Sequence, residues 1–220
     1  MDGATIQQRI LAGRGKAAQR IGLSCAQFRP LTAAAPLGNQ VGTVLAAFNA
    51  GDNTYAKPNL PGDPIWFADL DGRVTQAGDY LVRAADGATW FIASQQQLLP
   101  IVVIECNRQM QIVRQAPVTE VGAVGYGGLT TATEVPILGA PGALWPASIL
   151  FGGRKAPTGT GLPAGTGQAG WKVMLPPSVP GSVVIAAGDI MVDDLGRRYI
   201  IDGAELNDQG WRLTANDNHT

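Results

Sequence analysis

The chain has 220 residues, with 16 Lys and Arg against 17 Asp and Glu, so a formal net charge of -1 excludes a bulk electrostatic pull towards nucleic acid. Apolar residues make up 45% and charged residues 15%, with 29 Gly and 15 Pro; this favours many short strands and turns over a helix bundle. No run of 18 or more apolar residues is present, so no helix is expected to span a membrane, and the lack of an apolar leader predicts a chain that stays in the cytosol after synthesis.

Residues 1–22 read as a helical arm. Thr5 with Gln8 has the pattern of a capping box, and Ile6, Ile10, Ala17 and Ile21 keep a stripe beside Leu11 and Ala18. Gly13 and Gly15 each cost roughly 1 kcal/mol relative to alanine, so the helix depends on docking. Gly22 is the expected stop.

Residues 23–115 read as a first β-domain. Its opening, to residue 64, is extended and proline-rich, with a strand at Val41–Phe48 and a long surface excursion from Asn49 to Pro64. Strands follow at Ile65–Ala68, Tyr80–Val82, Trp90–Ile92 and Ile101–Cys106, with another at Met110–Arg114. Residues 116–132, with Pro117 and Gly125-Tyr126-Gly127-Gly128, read as a linker, and residues 133–220 as a second β-domain. In that domain Trp145–Phe151, Trp171–Leu175 and Gly210–Leu213 are strand candidates. Ala156 to Gly170 lacks charge and bulk, and Asn216–Thr220 is expected to fray. The fold class is therefore mainly β: two small antiparallel barrels or sandwiches with one N-terminal α-helix.

One pattern recurs. Gly188-Asp189 leads into Ile190–Val192, an acidic turn Asp193-Asp194-Leu195-Gly196, and a return strand led by Tyr199. Gly78-Asp79 leads likewise into Tyr80–Val82, a turn ending at Gly87, and a return led by Trp90. Two β-units of related build and a chance recurrence of a common hairpin are both consistent with this.

Catalytic chemistry has little to stand on. The single histidine, His219, lies one residue from the end, where a general base lacks a held geometry, and neither Cys25 nor Cys106 has another histidine to activate it. The two cysteines match no metal or redox spacing and read as reduced, partly buried thiols. A carboxylate pair drawn from Asp189, Asp193 and Asp194 is conceivable, but these residues read first as turn and strand-end residues. Asp69-x-Asp71-Gly72 lacks the later ligands of a calcium loop. No cofactor, metal site or enzymatic activity is expected.

Charge is uneven along the chain. Arg9, Arg14, Lys16 and Arg20 make the N-terminal end basic, and Asp189, Asp193 and Asp194 lie in an acidic C-terminal end. These residues are candidates for an assembly interface in which the basic end of one subunit meets the acidic end of another chain; two solvated faces are the plainer reading.

The opening Met1–Ile10 and Gly15–Gly22, the block Gly78–Val82 with Trp90–Gln96 and Leu98–Ile101, and the ending Asp193–Ile201 with Glu205 and Gly210–Leu213 together resemble structural proteins of tailed bacteriophages and prophages. Those proteins are encoded among the head–tail joining genes. The resemblance implies a virion neck protein assembled in the host cytoplasm. It would form a homo-oligomeric ring and contact the adjoining portal, adaptor or tail proteins; incidental contact with packaged DNA is compatible with it. It offers no catalytic residues. The alternative is a glycan-binding β-module or tail accessory protein that stacks sugars on Trp66, Trp90, Trp145 or Trp171.

Overall fold

The computed structural model describes residues 2–49, 62–116, 134–154 and 169–217, which form one helix and thirteen strands. The fold is mainly β, with one N-terminal helix and two antiparallel sheets.

Helix α1 (Gly3–Ile21) starts one turn earlier than the Thr5–Gln8 pattern suggests. Its cap is Asp2, whose Oδ1 accepts the Thr5 N–H at 2.8 Å, and it stops at Gly22, whose N–H reaches the Ala18 carbonyl at 2.7 Å. Leu11 and Ala18 are buried. Gly15, a cost to an isolated helix, is what allows close docking: a Cβ there would meet the Asp71 side chain at 3.0 Å. Arg14 Nη1 donates to Asp69 Oδ1 at 2.8 Å and pins the same turn.

The first sheet contains β1 (Leu23–Phe28), β2 (Gln40–Asn49), β3 (Ile65–Asp69), β4 (Tyr80–Arg83), β5 (Thr89–Ser94) and β6 (Ile101–Cys106). They close into a barrel in the order β1-β2-β3-β6-β5-β4. Alternation along the strands sends Leu81, Trp90, Ile92, Ile101 and Val103 into one core with Cys25, Val44 and Leu11 of α1. The alternate positions Tyr80, Phe91, Ala93 and Ile104 join a second core shared with the other sheet.

That sheet contains β7 (Arg108–Gln115), β8 (Glu134–Leu138), β9 (Trp145–Arg154), β10 (Ala169–Leu175), β11 (Ile190–Asp193), β12 (Arg198–Asn207) and β13 (Gly210–Asp217), in the order β11-β12-β13-β10-β9-β7-β8. β11 also pairs with β7, so six strands form a closed circuit of pairings and β8 is added beside β7. The circuit repeats the first barrel strand for strand. β7 pairs with β9 and β11 as β1 pairs with β2 and β4, and β13 joins β10 to β12 as β6 joins β3 to β5.

The two Gly-Asp hairpins occupy the same place in the two circuits. Gly78 and Gly188 have φ of 94° and 91°, and Gly87 and Gly196 have 74° and 76°, left-handed values that favour glycine. The Gly78 N–H donates to the Ile92 carbonyl at 2.7 Å, and the Gly188 N–H to that of Ile201 at 2.8 Å. The hairpins are thus one structural unit used twice.

The barrels share a packed seam. Tyr80 Oη donates to the Pro146 carbonyl at 2.7 Å, and its ring meets Trp145 edge to face at 6.1 Å. Trp145 Nε1 donates to the Ala33 carbonyl at 2.6 Å, and Ser178 Oγ to that of Gly78 at 2.7 Å.

Several expectations shift. The strand at Met110–Arg114 is β7 and pairs within the second sheet, so the first unit ends at Cys106, not at 115. An apolar strand does not announce its partner. Asn107 does, because its side chain brackets the backbone of Ile149, donating to its carbonyl and accepting its N–H, each at 2.8 Å. Strands β1 and β8 add to those expected. Asn216 and Asp217 belong to β13, with Asn216 buried, so the expected fraying does not begin there. The expected loop over 156–170, most of the 49–64 excursion and the 116–132 linker fall largely outside the described residues, as does His219.

Candidate assembly surface

Of the three acidic residues expected to face a partner, two are turned inward. Asp189 is buried; its two oxygens take Arg114 Nε at 2.7 Å and Nη2 at 2.8 Å, and Oδ2 also takes the Ala186 N–H. Asp193 is buried as well. Its Oδ1 accepts the N–H groups of Leu195 and Arg197, and its Oδ2 accepts Arg108 Nη2 and Tyr199 Oη, both at 3.0 Å. Asp194 is more exposed and pairs with Arg108 Nε at 2.8 Å. These carboxylates hold the β11–β12 hairpin onto β7. This corrects the expectation that Asp189 and Asp193 meet another chain.

Burial and the Asp193 carboxylate beside it push the Tyr199 phenol up to about 12. Asp79 repeats the Asp189 arrangement in the first barrel. It is buried and takes Arg29 Nε and Nη2 at 2.8 Å each, Gln27 Nε2 at 2.6 Å and the Gln76 N–H at 3.0 Å.

The basic end divides. Arg14 is held by Asp69 within the chain. Arg9, Lys16 and Arg20 are exposed and make no ion pair among the described residues. At 100° per residue these three project within about 40° of arc, on one face of α1.

The C-terminal end of α1 reaches the mouth of the first barrel. Every strand of that barrel contributes there: Leu23, Ala46 to Phe48, Trp66, Arg83, Trp90 and Glu105, with Ile21 of the helix, line a cavity of about 680 Å³. Phe48 stacks on Trp90 with centroids 3.9 Å apart, and the Arg83 guanidinium lies 4.9 Å from the Trp90 ring centre. Trp66 Nε1 donates to Glu105 Oε2 at 3.0 Å. Arg83 is held by Asp86, and that guanidinium keeps the Asp86 carboxyl down at about 2. Burial pushes the Cys25 thiol behind this wall up to about 11. At the mouth, Ile21 and Leu23 are 55% and 50% exposed.

The tryptophans considered as sugar platforms separate in the same way. Trp90 and Trp145 are buried, whereas Trp66 and Trp171 are half-buried. The sequence carried no local signal for the mouth, because its residues come from six strands spread over more than eighty positions. The Arg29–Asp79 and Arg114–Asp189 pairs had one: in both copies an Asp follows the turn glycine, and in both units an arginine lies at or just past the end of the first strand. Among the described residues no group of three His, Cys, Asp or Glu side chains is arranged to hold a metal ion. No protein-family model, curated protein or solved structure matches the chain.

Proposed function

We propose that this chain is a structural protein of the bacteriophage virion neck. It forms part of a ring at the head–tail interface and joins the portal or adaptor to the tail. The observation that carries the self-association is the apolar rim of the first barrel, where Ile21 and Leu23 face solvent beside an open mouth. Exposed apolar side chains gathered at one place favour a protein partner. The resemblance to head–tail joining proteins supplies the context, and the segments that carry it include α1 and the two hairpins. Purified particles from the same genome should contain the chain in a fixed ratio to portal protein, measured by quantitative peptide mass spectrometry. Its absence from washed particles would overturn the reading.

One observation favours a glycan-binding module as a second reading: the half-buried Trp66 and Phe48 beside Glu105 and Arg83 in the mouth resemble a sugar platform. Tryptophan fluorescence that shifts on adding oligosaccharides, and stops shifting in Trp66→Ala, would support it.

A further inference from the structure

Among the exposed charges that make no ion pair among the described residues, two places carry opposite net sign. On α1, Lys16 and Arg20 stand on one face, and the chain then runs on to Ile21 and Leu23, which are 55% and 50% exposed. On the β12–β13 hairpin, Glu205 and Asp208 are exposed and make no ion pair among the described residues. Between them Leu206 is 57% exposed. Arg212, the cross-strand partner of Glu205, is exposed too and leaves the hairpin end net acidic. Each place thus presents apolar bulk beside charge, and the net signs are opposite.

We infer that the C-terminal end of α1 in one copy receives the β12–β13 hairpin tip of a second copy. Leu206 packs on Ile21 and Leu23, and Glu205 and Asp208 face Lys16 and Arg20. Apolar burial supplies the attraction, and the charges set the register and repel like against like. The tip is already shaped for this. Asn207 and Gly210 are cross-strand partners, the Asn207 side chain accepts the Gln209 N–H at 2.9 Å, and Gly210 at φ 117° turns the chain where a side chain would crowd Pro176 and Pro177. A preordered tip loses little freedom on docking. The hairpin tip at Leu195 fits less well, because its flanking charges are already engaged, Asp194 by Arg108 and Arg197 by Asp193.

The contact rests on the self-association reading, and the test separates the two. Full-length Lys16→Glu/Arg20→Glu and Glu205→Lys/Asp208→Lys are each compared with the unaltered chain by sedimentation velocity, with far-UV circular dichroism to check folding. Each reversal should weaken self-association at least about tenfold, and an equimolar mixture of the two variants, or one chain carrying all four changes, should regain it. Folded variants that associate like the unaltered chain, or a fourfold variant that stays dissociated, would overturn the contact while leaving self-association standing. An unaltered chain that stays monomeric at every concentration and beside its neighbours would overturn both. Independently, Ile21→Cys/Leu206→Cys should form linked dimers on mild oxidation, visible on a non-reducing gel; a gel showing only monomer would contradict the docking.

Discussion

Asp79 and Asp189 are the same residue in two barrels. Each follows a left-handed glycine, precedes the fourth strand of its circuit, and grips an arginine through Nε and Nη2. Both carboxylates are buried, and their arginines are partly exposed at 32% and 43% of the side chain. Removing a buried carboxylate strands a cation and several N–H donors. Asp79→Ala and Asp189→Ala should therefore each lower unfolding stability by about 3 kcal/mol. Asp194→Ala, at a more exposed pair, should cost less than about 1 kcal/mol. Urea denaturation followed by tryptophan fluorescence measures all three; equal losses would mean the buried pairs are not the anchors.

The hairpin glycines make a second comparison. Gly188→Ala introduces a left-handed strain of about 1–2 kcal/mol, but the new methyl meets nothing within 4 Å. Gly78→Ala carries the same strain and also drives the methyl into Ser178, whose Oγ would be 2.9 Å away and whose backbone nitrogen 3.0 Å. Thermal melts should rank Gly78→Ala clearly below Gly188→Ala, because only the first disturbs the seam between barrels.

The seam itself should respond to size more than to polarity. Trp145→Ala removes a fully buried indole and should cost about 3–5 kcal/mol. Tyr80→Phe keeps the ring contact and deletes one hydrogen bond to the Pro146 carbonyl, a loss of about 1 kcal/mol. A larger loss from Tyr80→Phe than from Trp145→Ala in chemical denaturation would contradict this packing.

Alkaline pH should loosen the fold. The Tyr199 phenol rises in the folded state from the ordinary value of 10 to about 12, and the Cys25 thiol from 9 to about 11. The fold holds both groups protonated, so their contribution is complete below pH 9. It declines as pH rises through the interval between the unfolded and folded values, because the unfolded chain then releases protons the native chain keeps. The melting temperature should be flat from pH 7 to 9 and fall above that, and the fall should be shallower in Tyr199→Phe. In the native protein at pH 8 an aromatic disulfide reagent should label Cys25 only slowly, and promptly after denaturation.

Most strands were legible because alternation and β-branched content are local properties. The runs Ile101–Cys106 and Trp171–Leu175 needed no partner to be recognised. The repeated hairpin was legible for a related reason: its glycines answer a local demand for positive φ. What the pattern could not show was pairing. Met110–Arg114 reads as the natural continuation of Ile101–Cys106, yet a one-residue link carries the chain from one barrel into the other. The interface residues failed for a similar reason. Asp189 and Asp193 are charged and near a turn, which in sequence suggests solvent; their arginine partners, Arg114 and Arg108, lie 75 and 85 positions away. Lys16 and Arg20 kept their exposed place because helical spacing, unlike strand pairing, can be followed along the chain.

The most direct test of the neck account is the molar mass of the purified protein by light scattering, alone and after mixing with portal and tail proteins of the same genome. The account predicts a defined ring, formed by the chain alone or completed in the mixture, with a mass that is a fixed multiple of 22.9 kDa plus its partners. A 22.9 kDa species that persists at every concentration and ignores all of those partners would contradict it.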